Sequence, residues 1–139
     1  MPETERMPDT NVELVRGAYE HFIETGEPLW AVFAPDFVLE MSTYTGWPEK
    51  PEYHGHQEVR DFLEGWIGTW DDYSLEVEDL RGAGDEVVGL VRQSGTAKAS
   101  GARTEMVFAH LWTVSGGTLT RLRMYADRRE ALEAAGLRD

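Results

Sequence analysis

The sequence predicts one α+β domain in which a curved, mostly antiparallel sheet wraps the helices of the N-terminal half. Three observations carry this prediction: helical periodicity dominates the first half, alternating strand patterns fill the second half, and glycine-rich turns separate those strands. The predicted element order is ααβαββββα. A curved sheet with helices on its concave side leaves a cone-shaped hollow, and bulky residues that face inward are expected to line it.

The first helix is predicted over the segment TNVELVRGAYEHFIETG, after a flexible tail at residues 1–10. Thr10 with Glu13 three residues later forms a capping-box pattern, and Gly26 provides a helix stop. One face of this helix carries an apolar stripe at helical spacing: Val12, Val15, Tyr19, Phe22 and Ile23. A chain of 139 residues is most simply one domain, so residues 11–139 are predicted to fold together.

The segment EPLWAVFAPD predicts a short second helix, with Pro28 at its first position and Pro35 close to its end. DFVLEMSTY then alternates as a strand that turns Phe37, Leu39 and Met41 inward. A loop rich in proline and glycine leads to a third helix, whose broad apolar face comprises Val59, Phe62, Leu63, Trp66, Ile67 and Trp70.

Four strands and a closing helix are predicted for the second half. The strands cover about 73–82, 85–98, 103–115 and 118–126, and the turns between them carry GAGD, ASGAR and SGGT. In the closing segment DRREALEAAGL, Asp127 is predicted to cap the helix and Gly136 to end it.

The composition excludes several classes of function. The net charge of −13 repels phosphate backbones and anionic lipid, so neither nucleic acid nor a membrane is expected as a partner. The absence of cysteine excludes disulfides, a thiolate nucleophile and a cysteine zinc site. The N-terminus is polar and no stretch approaches the roughly 18 apolar residues of a membrane span. A soluble cytoplasmic protein is therefore expected.

Three local patterns, together with the element order, resemble the nuclear transport factor 2-like superfamily, and its SnoaL-like branch most closely. They are FAPDFVLE at the first strand, YHGHQEVRDF at the third helix, and GGTLTRLRMYADRREALEAAGL at the end of the chain. The resemblance implies a cone-shaped α+β barrel of the cystatin-like roll type. It does not fix the function, because this fold hosts isomerases, cyclases, epoxide hydrolases, dehydratases and plain binding domains.

Ketosteroid isomerases, which are relatives within this superfamily, supply a comparison for three positions. By resemblance, Tyr19 matches the helical tyrosine that helps to stabilise the enolate, and His110 falls at the protonated oxyanion-hole aspartate. Met41 falls at the aspartate that serves as general base. Methionine cannot carry a proton, so the chain lacks the base that steroid isomerisation by that mechanism requires.

His110 and Tyr19 are the candidate catalytic residues. In MVFAHLWTV the residues Met106, Phe108, His110 and Trp112 alternate onto one face, which places a titratable ring among apolar side chains. His110 is a candidate proton donor or acceptor, and Tyr19 a candidate donor to an oxyanion or carbonyl. The alternative is that His110 is tied to Tyr19 or to a buried carboxylate only to satisfy the core.

Aromatic residues and methionines are the candidate walls of a substrate pocket. Such a pocket, with one or two polar groups at its base, suits a flat polycyclic or terpenoid-like molecule; the alternative is that the rings fill the cone. The candidate substrate-binding residues are Trp30, Phe33, Met41, Tyr44, Phe62, Trp66, Phe108, Trp112 and Met124.

The opposite face of the sheet is expected to carry ion pairs and an interface. Strand parity points Glu40 outward, where Arg92, Arg121 or Arg123 could pair with it. The same parity sends Arg121, Arg123 and Tyr125 outward, and members of this fold commonly pair through that face. A homodimer through these three residues is therefore expected.

Metal, nucleotide and serine chemistry have little support in the sequence. His54 and His56 could chelate an ion, but no third ligand cluster lies nearby, and Gly55 more simply supplies the turn into the third helix. Neither a glycine-rich phosphate loop nor a Gly-x-Ser-x-Gly elbow is present.

The expected function is cofactor-independent acid/base chemistry on a hydrophobic small molecule, by an isomerase, cyclase, dehydratase or hydrolase. The alternatives are a non-catalytic binding domain and a dimeric scaffold.

Overall fold

The computed structural model describes residues 9–44 and 49–137, and it has the predicted α+β architecture. The helices are α1 (Thr10–Thr25), α2 (Gly55–Ile67) and α3 (Arg128–Ala134), and a single 3₁₀ turn covers Trp30–Val32. The strands are β1 (Phe33–Glu40), β2 (Glu52–His54), β3 (Trp70–Ala83), β4 (Glu86–Ala97), β5 (Arg103–Ser115) and β6 (Thr118–Tyr125). Most of the predicted tail, residues 1–8, lies outside the described residues.

The six described strands form one sheet in the order β2-β1-β6-β5-β4-β3. All neighbours are antiparallel except β1 and β6, which run parallel. The prediction of a mostly antiparallel sheet is therefore confirmed. The short strand β2 was not predicted, because three residues within a proline-rich loop carry no alternation that identifies a strand.

The predicted second helix is wrong beyond one turn. The chain leaves the 3₁₀ turn at Phe33 and is already extended through Pro35, since Phe33 and Phe37 both bury their rings in the core. Pro35 falls where the pairing of β1 with β6 is interrupted between Phe33 and Val38. Its missing N–H therefore removes no hydrogen bond from the ladder.

The helix ends follow ordinary capping chemistry, with one correction. Asp9, and not Thr10, caps α1: its carboxylate accepts hydrogen bonds from the backbone N–H groups of Asn11 (3.0 Å) and Val12 (3.2 Å). Gly26 ends α1 in the left-handed conformation, at φ 79°. The predicted cap at Asp127 is confirmed, since its carboxylate accepts from the N–H of Arg129 at 2.8 Å.

The sheet packs on two sides. Its concave face meets α1 and α2 and contains the main core, while α3 covers part of the opposite face. Tyr125 does point away from the concave face as predicted, but it is buried under α3 with Leu111 and Leu132. Among the described helices, none combines the length and the apolar character that crossing a membrane requires.

Candidate functional site

A cavity of about 140 Å³ lies between α1, α2 and the concave face of the sheet. Ten of the eleven predicted site residues line it: Tyr19, Phe33, Met41, Tyr44, Phe62, Trp66, Phe108, His110, Trp112 and Met124. The rings therefore do not fill the cone completely. Strand alternation explains most of this lining, because every second residue of β5 turns to the concave side.

Three aromatic side chains form a hydrogen-bonded chain at the buried end of the cavity. The Tyr19 hydroxyl lies 2.6 Å from His110 Nδ1, and Trp112 Nε1–H donates to the same hydroxyl oxygen at 2.8 Å. Each residue is less than a tenth exposed. The rings of Tyr19 and His110 are nearly parallel, while that of Trp112 stands edge-on to both. The network thus joins α1 to β5 within an apolar wall.

Gly89 on β4 makes this contact possible. It pairs directly with His110 across the β4–β5 ladder, and the Tyr19 hydroxyl sits where a side chain at 89 would begin. An added Cβ would collide with the Tyr19 oxygen and lie 3.2 Å from the ring carbon that bears it. A glycine is therefore required here for close approach.

Burial sets the protonation of both titratable groups. Desolvation lowers the pKa of His110 to about 3, so the imidazole is neutral at pH 7. Desolvation also raises the pKa of the Tyr19 hydroxyl above its ordinary value, although the hydrogen bond from Trp112 opposes this, so Tyr19 keeps its proton. At neutral pH the site holds no net charge on either residue.

The hydrogen-bond inventory assigns the tautomer of His110. The Tyr19 oxygen already accepts from Trp112, and its own proton needs an acceptor, which His110 Nδ1 provides. With Nδ1 accepting, the neutral ring carries its proton on Nε2. No described residue is within hydrogen-bonding contact of Nε2, and His110 borders the cavity. The result is an N–H donor available to a molecule in the cavity.

The general base that the resemblance to ketosteroid isomerases leads one to expect is absent from the described lining of the cavity. Met41 is 2 % exposed and lines the cavity. Among the described residues that line this cavity, none carries a carboxylate. His110 is thus the only lining group of the described chain whose ordinary pKa lies near neutrality, and burial removes it from that range.

A second polar cluster, which sequence reasoning missed, lines the other end of the same cavity. The Gln93 side-chain oxygen accepts from the Tyr73 hydroxyl at 2.7 Å and from Trp66 Nε1–H at 3.2 Å. Gln93 is buried, and Tyr73 has a raised pKa because it is largely desolvated. The inward direction of Gln93 follows from the pairing of β4 with β5, in which Gln93 is the direct partner of the inward-facing Met106.

Trp30 does not line the cavity, contrary to its predicted role in substrate binding. Its ring packs against Phe33 and His56 at centroid distances of 5.4 and 4.7 Å, with the Arg60 guanidinium 5.2 Å from it. The shortened second helix is the reason, because Trp30 opens a lone 3₁₀ turn beside the N-terminus of α2.

The two histidines beside Gly55 point to different partners. His56 Nε2 lies 2.9 Å from the Ala34 carbonyl oxygen, whereas His54 Nε2 lies 3.0 Å from a Glu52 carboxylate oxygen. Gly55, at φ 80°, supplies the turn into α2 as expected. No group of three metal-ligating side chains occurs within residues 9–44 and 49–137.

The outward-facing residues of the same strands form ion pairs. Glu40 pairs with Arg121 at 3.3 Å, which confirms one of the three predicted partners. Arg92 instead bridges Glu78 (2.7 Å) and Glu105 (2.9 Å), and Arg123 pairs with Glu86 at 2.8 Å. Side-chain hydrogen bonds to Glu78 raise the pKa of Arg92, and those from Arg92 and Arg128 lower the pKa of Glu78.

Comparison with known sequences places most of the chain in one family. Residues 12–122 match the model of the SnoaL-like domain. No functionally curated protein matches the sequence significantly.

Solved structures share the fold over nearly the whole chain. An NTF2-like protein from Burkholderia thailandensis E264 is 26 % identical, with a TM-score of 0.73 and coverage of 93 % of this chain and 98 % of that one. An NTF2-like protein of unknown function from Burkholderia pseudomallei K96243 is 23 % identical, with a TM-score of 0.73 and coverage of 91 % and 97 %. TerC, co-crystallised with polyporic acid, is 21 % identical, with a TM-score of 0.71 and coverage of 92 % and 99 %.

Proposed function

We propose, from the premise that the chain belongs to the SnoaL-like family, that it is an enzyme for a hydrophobic small molecule with a carbonyl or enol oxygen. The reaction depends on a hydrogen bond from His110 Nε2–H to that oxygen. One observation carries the proposal: Tyr19 and Trp112 hold a neutral His110 with Nδ1 occupied, which leaves Nε2 as the free ring nitrogen of a residue that lines an apolar cavity.

A donor of this kind stabilises negative charge that develops on a substrate oxygen. Its position is fixed before the substrate arrives, and the apolar walls strengthen the interaction because they exclude water. A neutral imidazole serves as a hydrogen-bond donor without a change in its own charge. The role is therefore polarisation of the substrate oxygen and not the shuttling of a proton by His110.

The reaction classes follow from what lines the cavity. With no carboxylate among the described lining residues, the site favours cyclisations in which a polarised carbonyl is the main requirement. Isomerisation and dehydration also need a proton acceptor, which the described lining does not supply. Hydrolysis has less support, because no described lining group is placed to activate water as a base. That the chemistry proceeds without a cofactor stays a prediction.

The volume of the cavity limits the size of the ligand that it accepts. A volume of about 140 Å³ resembles that of apolar cavities that accept a single aromatic ring. A polycyclic or terpenoid-like substrate therefore requires the walls to adjust, and the flexible side chains of Met41, Met106 and Met124 are suited to this. The co-crystallisation of TerC with polyporic acid supports the proposal that a small organic molecule occupies this fold's cavity.

A second candidate function is a binding domain without turnover. It is favoured by Met41, which leaves the cavity without the base expected from the resemblance to ketosteroid isomerases. In that case His110 and Tyr19 only anchor a ligand. The two functions differ in whether loss of the Nε2 donor changes a rate or only an affinity.

The test compares the wild type with His110→Phe and His110→Gln against phenols, cyclic enones, lactones and epoxides in thermal-shift assays. We expect one class to stabilise the wild type, His110→Phe to lose that shift, and His110→Gln to recover part of it through its amide N–H. Turnover of that class should show a kcat/KM that is flat from pH 5 to 8, because the His110 pKa is lowered to about 3. Equal shifts in all three proteins would contradict the proposal.

The expected homodimer stays a proposal. Arg121 and Arg123 lie on the outward face of β6, where partly exposed ion pairs remain open to a second copy, whereas Tyr125 is already covered by α3. Sedimentation of wild type and Arg123→Glu tests it. A dimer that dissociates in the variant supports this face as the interface, and a monomeric wild type rules it out.

A further inference from the structure

We infer that the cavity has a second hydrogen-bonding subsite at Gln93, and that its ligand carries two acceptor oxygens, one for each end of the cavity. This inference rests on the proposed function of His110, which supplies the first of the two donors. It narrows the substrate class from molecules with one carbonyl to flat, apolar molecules with oxygens on opposite sides.

The orientation of the Gln93 amide is fixed by its neighbours. The Trp66 indole N–H can only donate, so the group that faces it at 3.2 Å must be the amide oxygen. The Tyr73 hydroxyl donates to the same oxygen at 2.7 Å. With the oxygen held by two donors, the amide nitrogen has to point the other way.

The Gln93 amide nitrogen lacks a strong hydrogen-bond acceptor in this position. Its nearest acceptor is the Met106 thioether sulfur, at 3.7 Å, and sulfur of this type is a weak acceptor. The nitrogen carries two hydrogens, and no other described residue accepts from it. Gln93 is only 4 % exposed and lines the cavity, so water in bulk does not substitute. A buried donor left in this state is costly unless a ligand accepts from it.

The two donors sit apart on the same concave face. His110 and Met106 are four residues apart on β5, about 13 Å along the strand at 3.3 Å per residue, and their ladder partners are Gly89 and Gln93. The ring of Phe108, which lies between them on the same face, separates the two polar ends. His110 is buried, whereas Met106, Trp66 and Tyr73 are half-buried, so the Gln93 end is nearer the surface.

This arrangement selects a ligand by its pattern of oxygens. The inner oxygen accepts from His110 Nε2–H, the apolar body packs along Phe108, and the outer oxygen accepts from Gln93 Nε2–H. Tyr73 and Trp66 are positioning residues, since both act on the amide oxygen and hold its nitrogen toward the ligand.

The experiment uses three probes of nearly equal shape with none, one and two acceptor oxygens: 1,4-diisopropylbenzene, 4′-isopropylacetophenone and 1,4-diacetylbenzene. Their dissociation constants are measured by calorimetry on the wild type, His110→Phe, Gln93→Met and the surface control Gln57→Met. In the wild type and in the control we expect two successive gains in affinity, each about fivefold to tenfold.

Each cavity variant should keep only one gain. In His110→Phe or Gln93→Met a single ketone still finds the remaining donor, so the monoketone keeps its gain while the diketone gains nothing further. If the wild type shows only one gain in affinity, which His110→Phe abolishes and Gln93→Met keeps, this result overturns the second subsite and leaves the proposed function intact. If instead Gln93→Met abolishes the single gain and His110→Phe keeps it, the proposed function of His110 is overturned. No gain at all overturns both.

A second measurement covers the case in which Gln93→Met fails to fold. Gln57 and Gln93 are the chain's two glutamines, so the side-chain amide signals of Gln93 are simple to assign by NMR. In the wild type, 1,4-diacetylbenzene should shift the Gln93 amide protons downfield and leave those of the exposed Gln57 unchanged. An unchanged Gln93 signal at saturation overturns the inference.

Discussion

The two faces of one sheet handle polar groups in opposite ways. On the concave face, Tyr19, His110 and Trp112 are buried, neutral and joined by hydrogen bonds of 2.6 and 2.8 Å. On the opposite face, Arg92 and Glu78 are more exposed and paired at 2.7 Å. Strand β4 contributes to both faces, through Gly89 and Gln93 on one side and Arg92 on the other.

The difference shows how the surroundings of a titratable side chain favour its neutral form on one face and its charged form on the other. Desolvation drives His110 to its neutral form, whereas hydrogen bonds and opposite charges hold Arg92 and Glu78 in their charged forms. The concave face can therefore orient a ligand oxygen with neutral donors. The outer face can contribute charge, which salt screens.

The largest effect is expected from a carboxylate placed on the concave face. Met41→Asp should lower the free energy of unfolding at pH 7 by about 3–5 kcal/mol, because the charge would be buried without a partner. Burial raises the pKa of the new carboxyl, so the folded state binds the extra proton and the loss should shrink as pH falls from 7 to 5. Urea unfolding at several pH values measures this.

The matched control for that change is Ser42→Asp, at the next, exposed position of the chain. Its carboxylate stays in water but loses the hydrogen bond that the Ser42 hydroxyl donates to Glu40 at 2.9 Å and faces that carboxylate, so the loss should be about 1 kcal/mol. Equal losses at positions 41 and 42 would contradict the contrast between the buried cavity wall and the surface.

A smaller effect is expected from a methyl group at position 89. Gly89→Ala should destabilise the protein by about 1–3 kcal/mol, because the added Cβ collides with the Tyr19 hydroxyl. The same change in a Tyr19→Phe background should cost less, which thermal unfolding of the four proteins in the cycle reveals. Gly17→Ala on α1, where an added Cβ meets nothing within 4 Å, should stabilise by about 0.5–1 kcal/mol. A Gly89→Ala protein as stable as the wild type would refute the close approach.

The titration of His110 should appear in the pH dependence of stability. The folded pKa is about 3 and the unfolded value about 6.5, so the unfolded state binds more protons between these values. Stability that is fully present above about pH 6.5 is then lost as the pH falls, by up to about 1.4 kcal/mol per unit. His110→Gln should show a flatter profile between pH 7.5 and 5.5. Parallel profiles for the two proteins would contradict a lowered pKa.

The smallest effect is expected on the outer face. Arg123→Gln removes the ion pair with Glu86 and should cost about 0.5 kcal/mol, because both side chains are about a quarter exposed. The difference from the wild type should diminish between low and high salt, as surface charges are screened. A loss above about 2 kcal/mol that salt does not change would contradict the expectation that ion pairs on the outer face contribute little to stability.

Helical and strand periodicity in the sequence predicted the fold and most of the predicted cavity-lining residues. Alternation in β5 identified His110 and Phe108 as inward, and the same parity in β1 identified Met41. Pairwise contacts could not be predicted, because the Tyr19–His110 hydrogen bond joins residues 91 positions apart. The sequence also did not indicate that Gly89 leaves the space that the Tyr19 hydroxyl fills, because these two residues meet only in the folded chain.

Gln93 was missed and Trp30 was misplaced because contacts that no sequence pattern contains decide their orientation. Gln93 lies in a stretch of β4 without clear alternation, so its inward direction emerges only from its pairing with Met106. Trp30 was expected inside the cavity because it was assigned to a helix that shrinks to one 3₁₀ turn. In each case, the contact that decides the orientation comes from a distant part of the chain.

The proposed function depends most on the protonation and tautomeric state of His110, and ¹⁵N NMR of its ring reports that state directly. We expect a neutral ring with the proton on Nε2 and an unprotonated, accepting Nδ1, unchanged from pH 8 to pH 5. A ring that titrates near pH 6.5, or that carries its proton on Nδ1, would remove the donor from the cavity and contradict the proposed function.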